Sequence, residues 1–377
     1  MSAPLRVRPF AAADAASFLG TFALTFLAIA GLFAIDLFLA KIDRAESRSE
    51  ARHLFQEGTR LAAQGQPFEA VDRFRGAVST ERSNPTYQRA LAAALLSAGK
   101  VPEAQGVVAD RLRHDPADAE ASEIMAQALV REGKLPQAIS YYHRAIYGQW
   151  DGEAARNRVR ARFGLVDVLA RQDSRQDLLA ELLPLQREAP DDVATRKRIA
   201  RLFVAAGSPT RAIEIYRDIL RHDRDDADAY AGLGEAEFER GNYRTALADF
   251  TTAAGLKPDS PEIAAGLARS NQVLRLDPTQ RGLSLDERYR RSFGLLGLIL
   301  QAADSCFGPA AVDSVRTLAD TARAVAKQRR PPTPTYSTVE RNLDLAVRLW
   351  QARWRECPSP VPESERPLAL VLDRVAQ

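Results

Sequence analysis

A period of 34 residues constrains this chain more than any other feature, because a segment that recurs at that spacing folds as stacked copies of one small unit. Frames beginning at Ala51 run 51–84, 85–118 and 119–152 without a gap, and after six residues (153–158, EAARNR) they resume as 159–192, 193–226 and 227–260. The fifteenth position reads Gly65, Gly99, Gly133, Asp173, Gly207 and Gly241, which marks a turn between two helices. The twentieth reads Ala70, Ala104, Ala138, Leu178, Ala212 and Ala246, where a small side chain lets one helix approach another closely. One helical turn later, on the same face, stand Phe74, Val108, Tyr142, Leu182, Tyr216 and Phe250. The first helix of each frame has its small residue at the eighth position: Gly58, Ala92, Ala126, Val166, Ala200 and Gly234. A bulky residue follows three positions on (Leu61, Leu95, Leu129, Leu169, Phe203) until Glu237 breaks the series. Pro116, Pro190 and Pro258 fall between frames, where a helix ends anyway.

This pattern resembles the tetratricopeptide repeat family over a little more than half of the chain. The stretch AYAGLGEAEFERGNYRTALADFTTAAGLKPD (229–259) carries Tyr230, Leu233, Gly234, Gly241, Tyr243, Ala246, Phe250, Ala253 and Pro258, all of the types that the family uses. The fourth frame departs, with Asp173 for Gly and Leu178 for Ala, and a local change of pitch is expected there. The resemblance implies an all-α fold: a right-handed superhelix of about six helix pairs over 51–277, closed by a capping helix at 261–276. A lone helix pair cannot bury both of its apolar faces, whereas stacked pairs share a continuous core and form a curved groove.

The resemblance also implies that a protein partner lies in that groove, against the second, fifth, ninth and twelfth positions of the frames. Those are Arg52, Phe55 and Thr59; Arg89; Glu120, Glu123 and Gln127; Arg160, Phe163 and Asp167; Lys197 and Arg201; Asp228, Glu235 and Phe238. Charge alternates along the series, which suits an extended or helical segment of mixed charge with apolar anchors. Phe55, Phe163 and Phe238 are expected at positions the core does not require. The clamp for chaperone tails found in some relatives uses Lys and Asn where this chain has Phe55 and Thr59, which disfavours that ligand.

Ahead of the frames, residues 1–16 form a tail, and Ser17–Ala40 is a 24-residue apolar run with Asp36 as its one ionisable side chain. As a helix it would measure roughly 36 Å against a hydrocarbon core of about 30 Å, so it is expected to be a transmembrane helix, joined to the frames by a linker at 41–50. A cleaved export signal fits less well, since the run exceeds the usual apolar region and Phe38 occupies a position that needs a small residue.

Beyond Gly282 the period is lost, and residues 283–377 are expected to be a separate small helical module. Ser284 with Glu287 and Ser337 with Glu340 read as helix-opening capping boxes, RRPPTPT (329–335) as a stiff linker, and Val339, Leu343, Val347, Trp350 and Trp354 as a packed stripe. Cys306 and Cys357 both stand where a helix ends, so a disulfide staple between two helix ends is expected, with two buried thiols as the alternative. A disulfide requires an oxidising compartment and would put the bulk of the chain in the periplasm of a bacterial inner-membrane protein. The flanking charges point the other way: Arg6 and Arg8 precede the run, while Lys41, Arg44, Arg48 and Arg52 follow it.

Composition narrows the function classes. A formal charge of +3 and no basic stripe give no footing for nucleic acid, and two Cys with four scattered His give none for a zinc module, a metal or another cofactor. No nucleotide loop, nucleophile elbow or metalloprotease helix is present, so the chain does not read as an enzyme. The expectation is a membrane-anchored scaffold or assembly factor for an envelope complex; the alternative is a cytoplasm-facing regulator of a membrane-bound enzyme.

Overall fold

The computed structural model of the chain describes residues 12–307, 312–357, 361–362 and 365–376. They form seventeen helices and no strand, in two compact units, 1–168 and 169–377. In the first unit, α1 (Ala12–Ala63) pairs with α2 (Pro67–Thr80), α3 (Pro85–Ser97) with α4 (Val101–His114), and α5 (Ala119–Arg131) with α6 (Leu135–Tyr147), and α7 (Ala154–Arg171) follows. The second unit holds α8 (Arg175–Glu188), the pairs α9 (Val193–Ala205) with α10 (Pro209–His222) and α11 (Ala227–Glu239) with α12 (Tyr243–Leu256), and the capping helix α13 (Pro261–Leu276). After these come α14 (Leu285–Asp304), α15 (Asp313–Ala326), α16 (Tyr336–Glu356) and α17 (Arg366–Val375).

The last position of five of the six frames is a helix N-cap, Gly152 being the exception. Asn84, Asp118, Asp192, Asp226 and Ser260 accept backbone N–H groups at the starts of α3, α5, α9, α11 and α13, satisfying donors that a helix start leaves open. The turn at the fifteenth position is left-handed: Gly65, Gly99, Gly133, Gly207 and Gly241 have φ between 70° and 83°. Asp173 takes φ 52° at the same place, a conformation that costs a residue with a Cβ about 1 kcal/mol.

Aromatic rings set how closely the helices approach. The ring of Phe250 presses on Gly234 of its own pair and on Gly266 of the next helix, where an added Cβ would meet ring atoms at 3.1 Å and 2.5 Å. Tyr142 fills the space beside Gly164, and Tyr216 that beside Gly232. Phe250 thus occupies a socket formed by the eighth position of its own frame and the sixth of the following one, while Phe74 lies against the eighth (Gly58) and Tyr142 and Tyr216 against the sixth. Where the inserted side chain is smaller, the sixth position enlarges: Val108 precedes Ile124, and Leu182 precedes Arg198.

Helices α14 to α17 do not form a module of their own. Leu295, Leu296, Ile299, Leu345, Leu349, Trp350, Val371 and Leu372 share one core with Phe238, Tyr243, Phe250 and Val273 of the last repeat and its cap. The stripe of α16 is also rotated from the expected one: Asn342, Leu345, Ala346, Leu349 and Arg353 are buried with Val339 and Trp350, while Trp354 is 51% exposed. The helix opens at Thr335, which forms a reciprocal cap with Thr338, in place of the expected Ser337 and Glu340. Inside the core, Asn342 donates to the Ser292 hydroxyl at 3.3 Å, joining α16 to α14. The ends of the same two helices bring Cys306 and Cys357 together, with Cα atoms 6.2 Å apart, inside the range of about 4.4–6.8 Å that a disulfide spans.

At the other end of the chain, residues 41–50 are helical, so the expected linker is the middle of α1. Within the apolar run, the side chains of residues 17–24, 28, 34 and 40 lie outside those described. Among the described residues no helix is long and apolar enough to cross a membrane. Phe26, Leu27, Ile29, Leu32, Phe33, Ile35, Leu37, Phe38 and Leu39 are each at least 50% exposed.

The sockets generate a prediction. Gly232→Ala and Gly266→Ala should each destabilise the chain by about 1–3 kcal/mol, because the ring opposite cannot withdraw without opening the core. Urea denaturation checks this, with Gly255→Ala as control, since a Cβ there meets nothing.

Candidate functional site

The inner faces of α1, α3, α5 and α7, and of α9, α11 and α13, carry the residues expected to meet a partner, and most of the charged ones are already engaged. Arg89 on α3 is buried, with Asp118 at 3.0 Å, Glu120 at 3.1 Å and Asp151 at 2.5 Å. Burial alone would lower its pKa; the hydrogen bond it donates to Asp151 and the charges of Asp118 and Glu120 raise it instead. Burial pushes the Asp118 carboxyl up, but the Ala121 N–H, Arg111 and Arg89 outweigh that and hold it below the usual carboxylate range. Asp118 therefore serves at once as N-cap of α5 and as anchor of two guanidinium groups.

The next charges along follow suit. Arg160 on α7 grips the buried carboxylate of Glu123 with two parallel bonds, 3.0 Å and 2.6 Å, and lies 5.4 Å from the Trp150 ring centre. Both Trp150 and Asp151 come from the turn that departs from the 34-residue register, which bends back so that Gln149 exchanges backbone bonds with Ala117 and Ala119. In the second unit Lys197 reaches the α11 cap Asp226 at 2.6 Å, repeating the 29-residue link of Arg89 to Asp118. Lys257 pairs with Asp228 at 3.2 Å, and Arg269 bonds Glu235 while covering the Phe238 ring at 4.6 Å.

Arg89, Glu123, Arg160, Lys197, Asp228 and Glu235, all expected to face a partner, also pair within the protein. Phe238 is 2% exposed and packs edge-on to Tyr243 at 5.0 Å, so the core does require it. Phe163 and Asp167 are half-buried, and Arg52 and Arg201 are exposed. Of the expected aromatic contacts, Phe55 is half-buried between Phe74 and Tyr87, with ring centres 5.7 Å and 4.9 Å away.

What the inner faces leave open is small and apolar. Between α1 and α3 a cleft of about 610 Å³ has Phe55 on one wall, Ala62, Ala90, Ala93 and Ala94 across its floor, Thr59, Thr86 and Ser97 at its rim, and Glu120 at one end. Burial raises the Glu120 pKa, against the pull of Arg89. A second cleft of about 620 Å³, between α9, α11 and α13, is floored by Val204, Ala205, Ala231 and Gly232 and edged by Arg201, Asp228, Glu235 and Lys257. The alanines flooring the first cleft escaped the sequence reading, although Ala90, Ala93, Ala94 and Ser97 recur at helical spacing on one side of α3. Among the described residues no cluster of His, Cys, Asp and Glu could hold a metal ion.

Stacked helix pairs with aromatic sockets and a small-residue inner face define a helical-repeat binding scaffold. Residues 94–154 and 197–261 match the tetratricopeptide repeat family model, and the chain carries tetratricopeptide repeats. It is 29% identical to human Superkiller complex protein 3 over 155 residues, covering 38% of this chain and 10% of that protein. It is 25% identical over 219 residues to Cellulose synthase operon protein C of Pseudomonas fluorescens (strain SBW25), covering 56% of this chain and 17% of that one. The chain thus spans a small part of either relative's length. The solved structure of Pseudomonas aeruginosa pilF is 17% identical, with a TM-score of 0.46, over 60% of this chain and 99% of that one.

Arg160→Glu should cost about 2 kcal/mol, since Glu123 would be left buried without its cation, whereas Ala93→Glu on the exposed cleft floor should stay within about 0.5 kcal/mol. Chemical denaturation of the two variants separates fold charges from cleft surface.

Glu237, which breaks the series of bulky residues, is fully buried and held by Arg217 at 2.9 Å, Arg240 at 3.0 Å and the Asn242 amide at 2.7 Å. Beside it one oxygen of Asp249 is buried without a hydrogen bond. Burial, with the charge of Glu237 and against that of Arg217, pushes the Asp249 carboxyl up to about 6 from an ordinary 3.8. Between those two values the folded chain holds a proton that the unfolded chain has lost, so this group's contribution to stability falls as pH rises through the window. Asp249→Asn should therefore match the parent near pH ~4 and be more stable by about 1 kcal/mol near pH ~7.5, partial exposure screening any larger effect. Melting curves at the two pH values check it.

Proposed function

We propose that this chain is a membrane-anchored scaffold that holds a protein partner of an envelope complex against the small-residue clefts of its repeats. The observation that carries the reading is the continuity of α1: one helix runs from the exposed apolar face at 26–39 to Phe55 and Thr59, which line the first cleft. The described part of the apolar run, 25–39, amounts to about 22 Å of helix, and Ser17–Leu24 in the sequence extends it past the roughly 30 Å of a hydrocarbon core. Because the cleft presents alanine, threonine and serine, the partner that fits it is an apolar helix or extended segment whose side chains enter between α1 and α3. The charge ladder argues against a partner selected by alternating charge.

The close approach of Cys306 and Cys357 supports placing the bulk of the chain outside the cytoplasm. The second reading, a cytoplasm-facing regulator of a membrane-bound enzyme, is favoured by Lys41, Arg44, Arg48 and Arg52 on the far side of the run.

Photo-crosslinking in native membranes tests the proposal. A photoreactive side chain at Ala93 or Ser97 should capture a discrete protein, one at Asp110 on α4 should not, and Ala62→Glu should abolish the capture. Alkaline carbonate should leave the full chain in the membrane pellet and release a chain beginning at Ala45. Equal capture from both positions would overturn the cleft, and release of the full chain would overturn the anchor. A membrane-impermeant thiol reagent that reacts without reductant only once the inner membrane is opened would favour the second reading.

A further inference from the structure

We propose that a cavity at the start of α12, enclosed by the turn after α13 and by α17, binds a phosphate group. The cavity measures about 360 Å³ and is lined by Arg244 on α12, Arg281 in the turn and Arg374 on α17, together with Thr245, Thr279 and Tyr243. Three guanidinium groups facing one small space repel each other unless an anion sits among them.

The protein supplies little negative charge there. Asp277 lies 3.4 Å from Arg374, but it already accepts the Thr279 N–H at 2.8 Å and the Thr279 hydroxyl at 2.7 Å. Among the nearby carboxylates, Glu239 stands 3.6 Å from Arg366, and Asp373 accepts the Trp350 indole N–H at 2.7 Å. Arg281 has no ion pair among the described residues, and Arg244 donates to the Arg281 carbonyl at 3.0 Å. Three cations against the single carboxylate of Asp277 leave a surplus of two positive charges, the complement of a phosphate dianion.

Two further features supply donors. Asn242, the N-cap of α12, gives its amide to Glu237 and caps nothing, so the N–H groups of the first turn are without helical acceptors. Other second helices share that feature, which by itself marks no site. The distinguishing group is Tyr243, which lines the cavity at 6% exposure and whose hydroxyl makes no hydrogen bond among the described residues. An oxygen of the ligand would satisfy that hydroxyl. The donor set exceeds what a carboxylate's two oxygens can accept and suits the several oxygens of a phosphate. A soluble phosphomonoester and a lipid headgroup both carry this group.

The test is calorimetric titration of the full chain, in neutral detergent at constant ionic strength, with inorganic phosphate and with glycerol phosphate. Saturable binding is expected, with a Kd of about 1 mM or tighter, acetate binding at least roughly tenfold more weakly. Arg281→Ala should weaken phosphate binding by roughly tenfold and Arg281→Glu should abolish it, with melting temperatures unchanged because Arg281 is exposed and unpaired. In nanodiscs, competition from phosphatidic acid against inorganic phosphate would assign the site to a headgroup, and undiminished phosphate binding would assign it to a soluble ester. A response no different from that to chloride, equal binding of acetate, or wild-type affinity in Arg281→Ala would overturn the proposal.

Discussion

The fit of a ring into a gap between two helices governs this structure. Phe250 can press on Gly266 only if that residue carries no Cβ, with Gly234 leaving room on the other side, and the helices can lie that close only if the ring fills the space between them. The two requirements fix each other. They also explain why a change at the twenty-fourth position is answered at the sixth position of the next frame, as Val108 is answered by Ile124. Once this spacing is set, successive first helices stand near enough for their side chains to meet, and the remaining interactions follow from that distance.

The charges are the first consequence. A capping aspartate at a helix start is stabilised by the backbone N–H groups it accepts, and on this inner face it also meets a cation from the preceding first helix: Arg89 for Asp118, Lys197 for Asp226. The fold thereby absorbs side chains that would otherwise be offered to a partner. What remains available is the floor between those pairs, and alanines line it. At its far end, the last repeat extends the same packing into α14 to α17, so Phe250 and Trp350 belong to one core.

Much of this was legible in the sequence. The frames, their turns and the ring positions could be read from Gly65, Ala70 and Phe74 onward, because a 34-residue period repeats the same steric demand many times. The socket at Gly164, Gly232 and Gly266 was legible in principle, as three glycines one frame step beyond three rings. Charge pairing was not, since Arg89 and Asp118 are 29 residues apart in sequence and a helix-face position says nothing about who stands opposite. That the linker at 41–50 is helical was not legible, because polar composition, ESRSE included, leaves the conformation of a connecting segment open. Residues 283–377 read as separate because loss of a period was taken for loss of contact, whereas a terminal repeat needs a cover for its open apolar face.

Once the rings have set the spacing, the pairing of an inner-face cation with a capping aspartate couples one first helix to the next. A double-mutant cycle on Arg89→Met and Asp118→Asn, measured by chemical denaturation of the full chain, tests it most directly, because Asn keeps the cap and removes only the charge. The account predicts a coupling of about 2 kcal/mol between the two changes. A coupling below about 0.5 kcal/mol, with Arg89→Met as stable as the parent, would contradict it and return Arg89 to the partner.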